Sequence, residues 1–80
     1  LEQNKVEQAI SLIEVCKLFA PNDSLLWRET GILYARMNKI KKAISALEKS
    51  LRISKNSQFN RDTSALIIRY RKLLRKNAPQ

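Results

Sequence analysis

The chain has no histidine, one glycine, one cysteine and two prolines among its 80 residues, and only 6% of its residues are aromatic. Without histidine it has no imidazole base, no Cys–His or Ser–His nucleophile pair and almost none of the usual zinc ligand sets. A single glycine excludes a glycine-rich loop around a phosphate. We therefore expect no enzyme activity, no metal site and no cofactor in this segment.

The single cysteine, Cys16, has no partner for an internal disulfide, which fits a reducing compartment and a cytoplasmic location. Cys16 falls at a small-residue position of a predicted helix, so we expect a packed, unreactive thiol. No apolar run approaches the roughly 18 residues that a membrane-spanning helix needs. The sequence therefore predicts no membrane segment.

Scarce glycine, proline and aromatic residues favour an all-α fold. Apolar residues recur with helical spacing in four segments, which predicts helices over residues 4–19, 24–37, 40–54 and 60–76. Pro21 separates the first two, and Asn38 is expected to take the left-handed conformation that ends helices. Residues 55–57 form a polar break, after which Ser57 or Asn60 is expected to cap the fourth helix.

The first and third predicted helices repeat each other at a distance of 34 residues. The matching positions are Val6 and Ile40, Ala9 and Ala43, Ile10 and Ile44, Ile13 and Leu47, and Glu14 and Glu48. Between them, Trp27, Gly31 and Tyr34 lie on adjacent turns of the second helix. A 34-residue period with this Trp–Gly–Tyr box, followed by alanine, a large apolar residue and proline, resembles the tetratricopeptide repeat family.

That resemblance implies antiparallel helical hairpins, each made of an A helix and a B helix, stacked in a short right-handed array that binds other proteins. Phased from Trp27, residues 1–23 hold the B helix of a truncated repeat, 24–57 a complete repeat and 58–80 a terminal capping helix. Gly31 and Ala43 then mark the close approach of two helices, and Trp27 and Tyr34 fill space between hairpins. In the last helix, Ala65 and Ile68 take the glycine and tyrosine positions. Thr30, Lys55 and Arg61 depart from the motif, which prefers leucine, proline and tryptophan at these positions.

A narrower resemblance is carried by three stretches of sequence. They are Pro21-x-Asp23, Arg28-Glu29-x-Gly31-x-Leu33-Tyr34-Ala35 and Ala43-Ile44-x-x-Leu47-Glu48-x-x-Leu51. Together they resemble the C-terminal repeat region of bacterial proteins that carry a transglutaminase-like domain upstream. The implied alternative role is a non-catalytic regulatory or folding appendage of a hydrolase whose Cys–His pair lies outside these residues.

In tetratricopeptide arrays the A helices line a groove that binds an extended peptide or a partner's helix. By repeat position, the groove residues here are Leu25, Arg28, Ile32, Arg36, Phe59, Asp62, Leu66 and Arg69. An arginine in such a groove can bind a carboxylate with two parallel hydrogen bonds. The alternative is that Arg28 pairs with a neighbouring acid and that Arg36 is simply solvated.

Charge divides the chain into two unequal halves. Residues 1–35 carry three basic and five acidic side chains, a net charge of −2, whereas residues 36–80 carry thirteen and two, a net charge of +11. The stretch Arg69-Tyr70-Arg71-Lys72 with Arg75, Lys76, Lys39, Lys41 and Lys42 is a candidate surface for nucleic acid or an anionic membrane. We favour a solvated basic face, because Tyr70, Leu73 and Leu74 are needed for packing and no aromatic side chain accompanies these charges to stack on bases.

The first helix is apolar over about half of its circumference, which is more than one neighbouring helix covers. The arc consists of Leu12, Phe19, Cys16, Ala9 and Val6, and Val15 and Leu18 extend it. Part of this surface therefore needs a second cover. We expect a second copy of the chain to supply it in a symmetric homodimer.

Overall fold

The computed structural model describes the backbone of residues 2–77 and the side chains of residues 4–76. Within these residues it contains four helices and no strand, which confirms the predicted all-α fold. The helices are α1 (Glu2–Phe19), α2 (Ser24–Arg36), α3 (Ile40–Ile53) and α4 (Ser57–Asn77). Residues 1 and 78–80 lie outside the described residues.

Both ends of α2 follow from its sequence. The carboxylate of Asp23 accepts a hydrogen bond of 3.0 Å from the amide of Leu25, so it satisfies one of the amides that a helix start leaves free. The indole N–H of Trp27 donates to the carbonyl of Pro21 at 3.0 Å, which fixes the ring beside the turn after α1. After α2, Asn38 has a φ of 62°, the left-handed conformation predicted for it.

Helices α2 and α3 form an antiparallel hairpin with a close approach at the only glycine. The hydroxyl of Ser50, near the end of α3, donates to the carbonyl of Ser24 at the start of α2 (2.8 Å). A Cβ placed on Gly31 would lie 2.9 Å from the carbonyl oxygen of Ala43 and 2.9 Å from Cγ of Leu47. Contacts this short leave no room for a side chain, so the predicted approach of Gly31 and Ala43 is confirmed.

Helix α4 begins at residue 57, earlier than the predicted start at residue 60. The residue that caps it is Asn56, whose side-chain oxygen accepts a hydrogen bond of 2.8 Å from the amide of Phe59. Asn60, one of the two predicted caps, instead donates its side-chain amide to the carbonyl of Ser54 at 3.1 Å. The prediction that Asn60 caps α4 was wrong because Asn56, directly before the helix, accepts the hydrogen bond from the free amide of Phe59.

The hydrophobic core is centred on α3. It consists of Ile40, Ile44, Leu47 and Ile67, around which pack Ala35, Leu51, Leu66, Tyr70 and Leu74. Among the residues of α1 whose side chains are described, the only buried one is Lys17. The first helix therefore lies outside the core, against α2.

The outer side of α4 has no neighbouring helix among the described residues. Ala65 and Ile68, which take the glycine and tyrosine positions of the repeat, are exposed, whereas Gly31 is buried and Tyr34 half-buried. Helix α4 packs on α3 through Ile67, about 160° around the helix axis from Ala65. Its repeat positions thus face solvent.

Candidate functional site

The predicted groove brings α2 and α4 together through one side chain. Arg28 donates a hydrogen bond of 3.3 Å to the hydroxyl of Thr63, and its guanidinium carbon lies 3.9 Å from the centre of the Phe59 ring. Thr63 is fully buried, and its hydroxyl donates to the backbone carbonyl of Phe59, one turn earlier in α4, at 2.9 Å. Arg28 therefore has an aromatic and a hydroxyl partner within the chain, not the neighbouring acid of the alternative interpretation.

The other groove candidates divide by exposure. Leu25, Arg36, Asp62 and Arg69 are exposed, and Ile32, Phe59 and Leu66 are half-buried. Leu66 packs against the core, and Asp62 accepts a hydrogen bond from Gln58 at 3.2 Å. The accessible part of the predicted groove consequently has one large apolar side chain, Leu25, with charged groups on either side.

The outer face of α1 is strongly apolar. Leu12, Leu18 and Phe19 are 66%, 79% and 85% exposed, and Val15 is 50% exposed. Cys16 is also exposed, so the prediction of a packed thiol is wrong: no described helix covers the side of α1 on which it lies. We call these five residues the α1 face.

Two residues predicted for self-association are less exposed than the α1 face. Val6 and Ala9 are half-buried. Val6 precedes Lys17 by eleven residues, about three helical turns, so both lie on the side that faces α2. Of the predicted set, Leu12, Cys16 and Phe19 remain on the α1 face, and Val15 and Leu18 join them.

The basic residues of the second half do not form one surface. Arg71 pairs with Glu48 at 2.6 Å and so joins α4 to α3, while Tyr70 and Leu74 pack against the core as predicted. Leu73, which was expected to pack, is 40% exposed. It borders a shallow depression on α4 whose other lining residues are Ala65, Ile68, Arg69, Lys72 and Lys76.

A second basic surface, not predicted from the sequence, lies between α1 and α3 above α2. It is an open groove of about 570 Å³ whose lining includes Trp27 and Tyr34 together with Lys17, Lys41, Lys42, Lys49 and Arg52. Two aromatic rings therefore lie beside Lys41 and Lys42 of the predicted basic set, an arrangement that was not predicted from the sequence. The signal in the sequence was the spacing of Lys42, Ser45, Lys49 and Arg52, which places them on one side of α3.

Two further classes of site are absent from the described part of the chain. Residues 2–77 include no helix long and apolar enough to span a membrane. They also include no group of three or more histidine, cysteine or acidic side chains arranged to hold a metal ion.

No family model, curated protein or solved structure matches this sequence or its fold. The resemblance to tetratricopeptide repeats consequently rests on the repeat residues themselves.

Proposed function

We propose that this chain is a protein-binding module of tetratricopeptide type, whose exposed helix faces hold other polypeptides. The observation that supports it most directly is the α1 face, where large apolar side chains are grouped on one side of a helix and left to solvent. Contiguous exposed apolar surface of this kind is typical of protein interfaces. Leu12, Val15 and Phe19 follow the i, i+3, i+7 spacing of a stripe that packs against another helix.

The partner we propose for the α1 face is a second copy of the chain. Two such stripes are self-complementary when the copies are related by a twofold axis, so that α1 packs against α1. Burial of each large apolar side chain contributes roughly 1.5–3 kcal/mol before the cost of association is subtracted.

The test introduces charge into this face. The double variant Leu12→Glu with Phe19→Glu should stay folded by circular dichroism and sediment as a monomer at concentrations where the unmodified chain dimerises. Ser57→Glu with Ala65→Glu adds the same two charges to exposed positions of α4 and is the matched control. If the control dissociates the dimer equally, the contact does not run through the α1 face.

Cys16 provides an independent readout of the same contact, because its thiol is exposed in the isolated chain. Its rate of labelling by a thiol reagent should fall as the chain concentration rises. In the Leu12→Glu, Phe19→Glu variant the rate should not depend on concentration. A concentration-independent rate in the unmodified chain would argue against a partner on this face.

A second surface that we propose for partner binding is the predicted groove between α2 and α4. What favours it is that Phe59 and Thr63 hold Arg28 in place and that Leu25 and Arg36 of the same helix are exposed. A side chain fixed in this way loses little further freedom when a ligand binds.

Peptides selected from a random library against the unmodified chain provide a test of this groove. Arg36→Ala and Leu25→Glu should weaken the binding of such peptides more than Arg75→Ala with Lys76→Ala. Arg28→Ala should weaken it too, but this change also removes contacts within the fold, so its unfolding must be measured in parallel. The reverse ranking would indicate that the peptides bind the basic end of α4 and not the groove.

Two other roles follow from the sequence. The resemblance to bacterial transglutaminase-like proteins proposes a cytoplasmic, non-catalytic appendage of a hydrolase, which a Cys–His-bearing domain encoded directly upstream would favour. The net positive charge of residues 36–80 suggests, as the other role, a nucleic-acid-binding module. A salt titration separates this last role from apolar protein binding, because affinity for phosphates falls steeply with the logarithm of the salt concentration.

A further inference from the structure

The groove between α1 and α3 combines positive charge with an aromatic floor. Three side chains of α2, Trp27, Thr30 and Tyr34, lie between the two flanking helices. The flanking side chains are Glu14 and Lys17 of α1 and Lys41, Lys42, Ser45, Ala46, Lys49 and Arg52 of α3. We call this surface the basic groove.

The charge of the basic groove is largely uncompensated. It has one carboxylate, Glu14, whose oxygen is 2.8 Å from the ammonium of Lys17. The four basic residues of α3 form no salt bridge with any carboxylate of residues 4–76, where the two ion pairs are Glu14–Lys17 and Glu48–Arg71. A concave surface with an excess of one charge concentrates ligands of the opposite charge.

The aromatic floor holds several of these cations in place. The ammonium of Lys17 lies 3.8 Å from the centre of the Trp27 ring, and that of Lys49 lies 5.7 Å from it. The ammonium of Lys42 lies 5.7 Å from the centre of the Tyr34 ring. Lys17, which is buried, is at contact distance from its ring, whereas Lys42 and Lys49 lie near the rings at a distance that leaves their ammonium groups accessible to a carboxylate of a ligand.

The same contacts distinguish between classes of anionic partner. Nucleic-acid bases bind single-strand surfaces by stacking on free aromatic faces. In the basic groove Trp27 and Tyr34 already carry lysine ammonium groups, and the Trp27 indole is tied to the carbonyl of Pro21. The rings are thus poorly placed as stacking platforms, which favours a polypeptide.

The length of the basic groove fits a short peptide. Lys42 and Arg52 are ten residues apart on one side of α3, which corresponds to about 15 Å along the helix axis. An extended chain covers this distance with about four or five residues. Lys49 lies between the two ends, so three cations are distributed along the length of the groove.

We propose that the basic groove binds an acidic segment of a partner protein, extended along α3, with its carboxylates paired to Lys42, Lys49 and Arg52. Apolar atoms of the segment lie against Ala46 and the edges of the rings of Trp27 and Tyr34. This surface is separate from the α1 face and from the groove between α2 and α4, and its use does not require the dimer.

The test uses fluorescein-labelled peptides of about ten residues, one with glutamate at alternate positions and one with glutamine in its place. Fluorescence anisotropy measures affinity, and emission of Trp27, the only tryptophan, reports contact with the floor. We expect the glutamate peptide to bind and to change Trp27 emission, and the glutamine peptide to bind at least about tenfold more weakly, since each ion pair contributes modestly.

The key variant is Lys49→Gln with Arg52→Gln, and its matched control is Lys72→Gln with Lys76→Gln on the outer side of α4. Both remove two positive charges, and circular dichroism checks that both fold. The groove variant should weaken binding of the glutamate peptide about tenfold and abolish the change in emission, while the control should weaken it less than about threefold. Lys49→Arg, which keeps the charge, should retain binding.

Three results would overturn the proposal. The first is no binding of the glutamate peptide at high micromolar concentration. The second is an equal loss in the groove and control variants, which would indicate attraction to net charge alone. The third is tighter binding of a single-stranded oligonucleotide than of the glutamate peptide, lost in the groove variant, which would make the groove a nucleic-acid site.

Discussion

Helices α1 and α3 are related by the 34-residue repeat but differ in burial at almost every matching position. Leu47 is fully buried, whereas Ile13 is half-buried; Ala43 is fully buried, whereas Ala9 is half-buried. Leu12 is 66% exposed, whereas its counterpart in α3, Ala46, is 6% exposed. The same helix pattern therefore produces a core element in one place and a surface element in the other.

The difference in burial arises because α3 has more neighbouring helices than α1. Helix α3 packs between α2 and α4, while α1 packs mainly on α2. At the position of Cys16, α3 has Ser50, whose side chain is fully buried and bonded to the carbonyl of Ser24 in α2. If the proposed tetratricopeptide phasing holds, the exposed thiol marks the side of α1 that would face an A helix. The corresponding side of α1 has no neighbouring helix among the described residues.

The largest difference in stability between variants of the two helices is expected when a large apolar side chain is shortened to alanine. Leu47→Ala should destabilise the chain by about 2–5 kcal/mol, because it empties a fully enclosed site. Ile13→Ala should cost about 1 kcal/mol, because solvent already reaches that side chain. Urea unfolding at low micromolar concentration measures both. Equal losses would mean that α1 is packed as tightly as α3.

The next largest difference in stability is expected when a small residue of α3 or of α1 is replaced by leucine. Ala43→Leu, and likewise Gly31→Leu, should destabilise by about 1–3 kcal/mol through overpacking, because Gly31 already lies against the backbone at Ala43. Ala9→Leu, at the matching position of α1, should change stability by less than about 0.5 kcal/mol. Thermal melting of the three variants is the measurement. Wild-type melting of the Ala43 variant would contradict the repeat phasing.

The smallest difference in stability is expected between variants of Ser50 in α3 and of Cys16, the matching residue of α1. Ser50→Ala removes a buried hydroxyl that donates to Ser24 and should cost about 1 kcal/mol. Cys16→Ala changes an exposed thiol and should leave the unfolding free energy of the monomer unchanged. Chemical denaturation of both at the same low concentration makes the comparison. A loss at Cys16 as large as that at Ser50 would indicate that the thiol is covered.

The parts of the fold that local chemistry determines were predictable. Periodic apolar residues gave four helices, Asn38 gave the end of α2, and the Gly31–Ala43 approach followed from repeat position. The start of α4 was missed because Asn56, which was assigned to the polar break, is as good a cap by residue type as the predicted Ser57 and Asn60. Only the packed structure decides which of them meets a free amide.

The candidate sites were less predictable, because they depend on contacts between helices distant in sequence. Arg28 was predicted to be a groove residue, but its contact with Phe59, 31 positions later, was not predicted. The basic groove draws on three helices, and no single segment contains both its aromatic floor and its cations. Cys16 was placed by repeat position as though its neighbouring helix were present, which it is not among residues 2–77.

The central claim is that the α1 face is a binding surface for a second copy of the chain. Sedimentation equilibrium of the unmodified chain from low to high micromolar concentration tests this most directly. We predict a reversible rise from the mass of one chain, 9.3 kDa, to that of two. A mass that stays at one chain up to high micromolar concentration would contradict the claim.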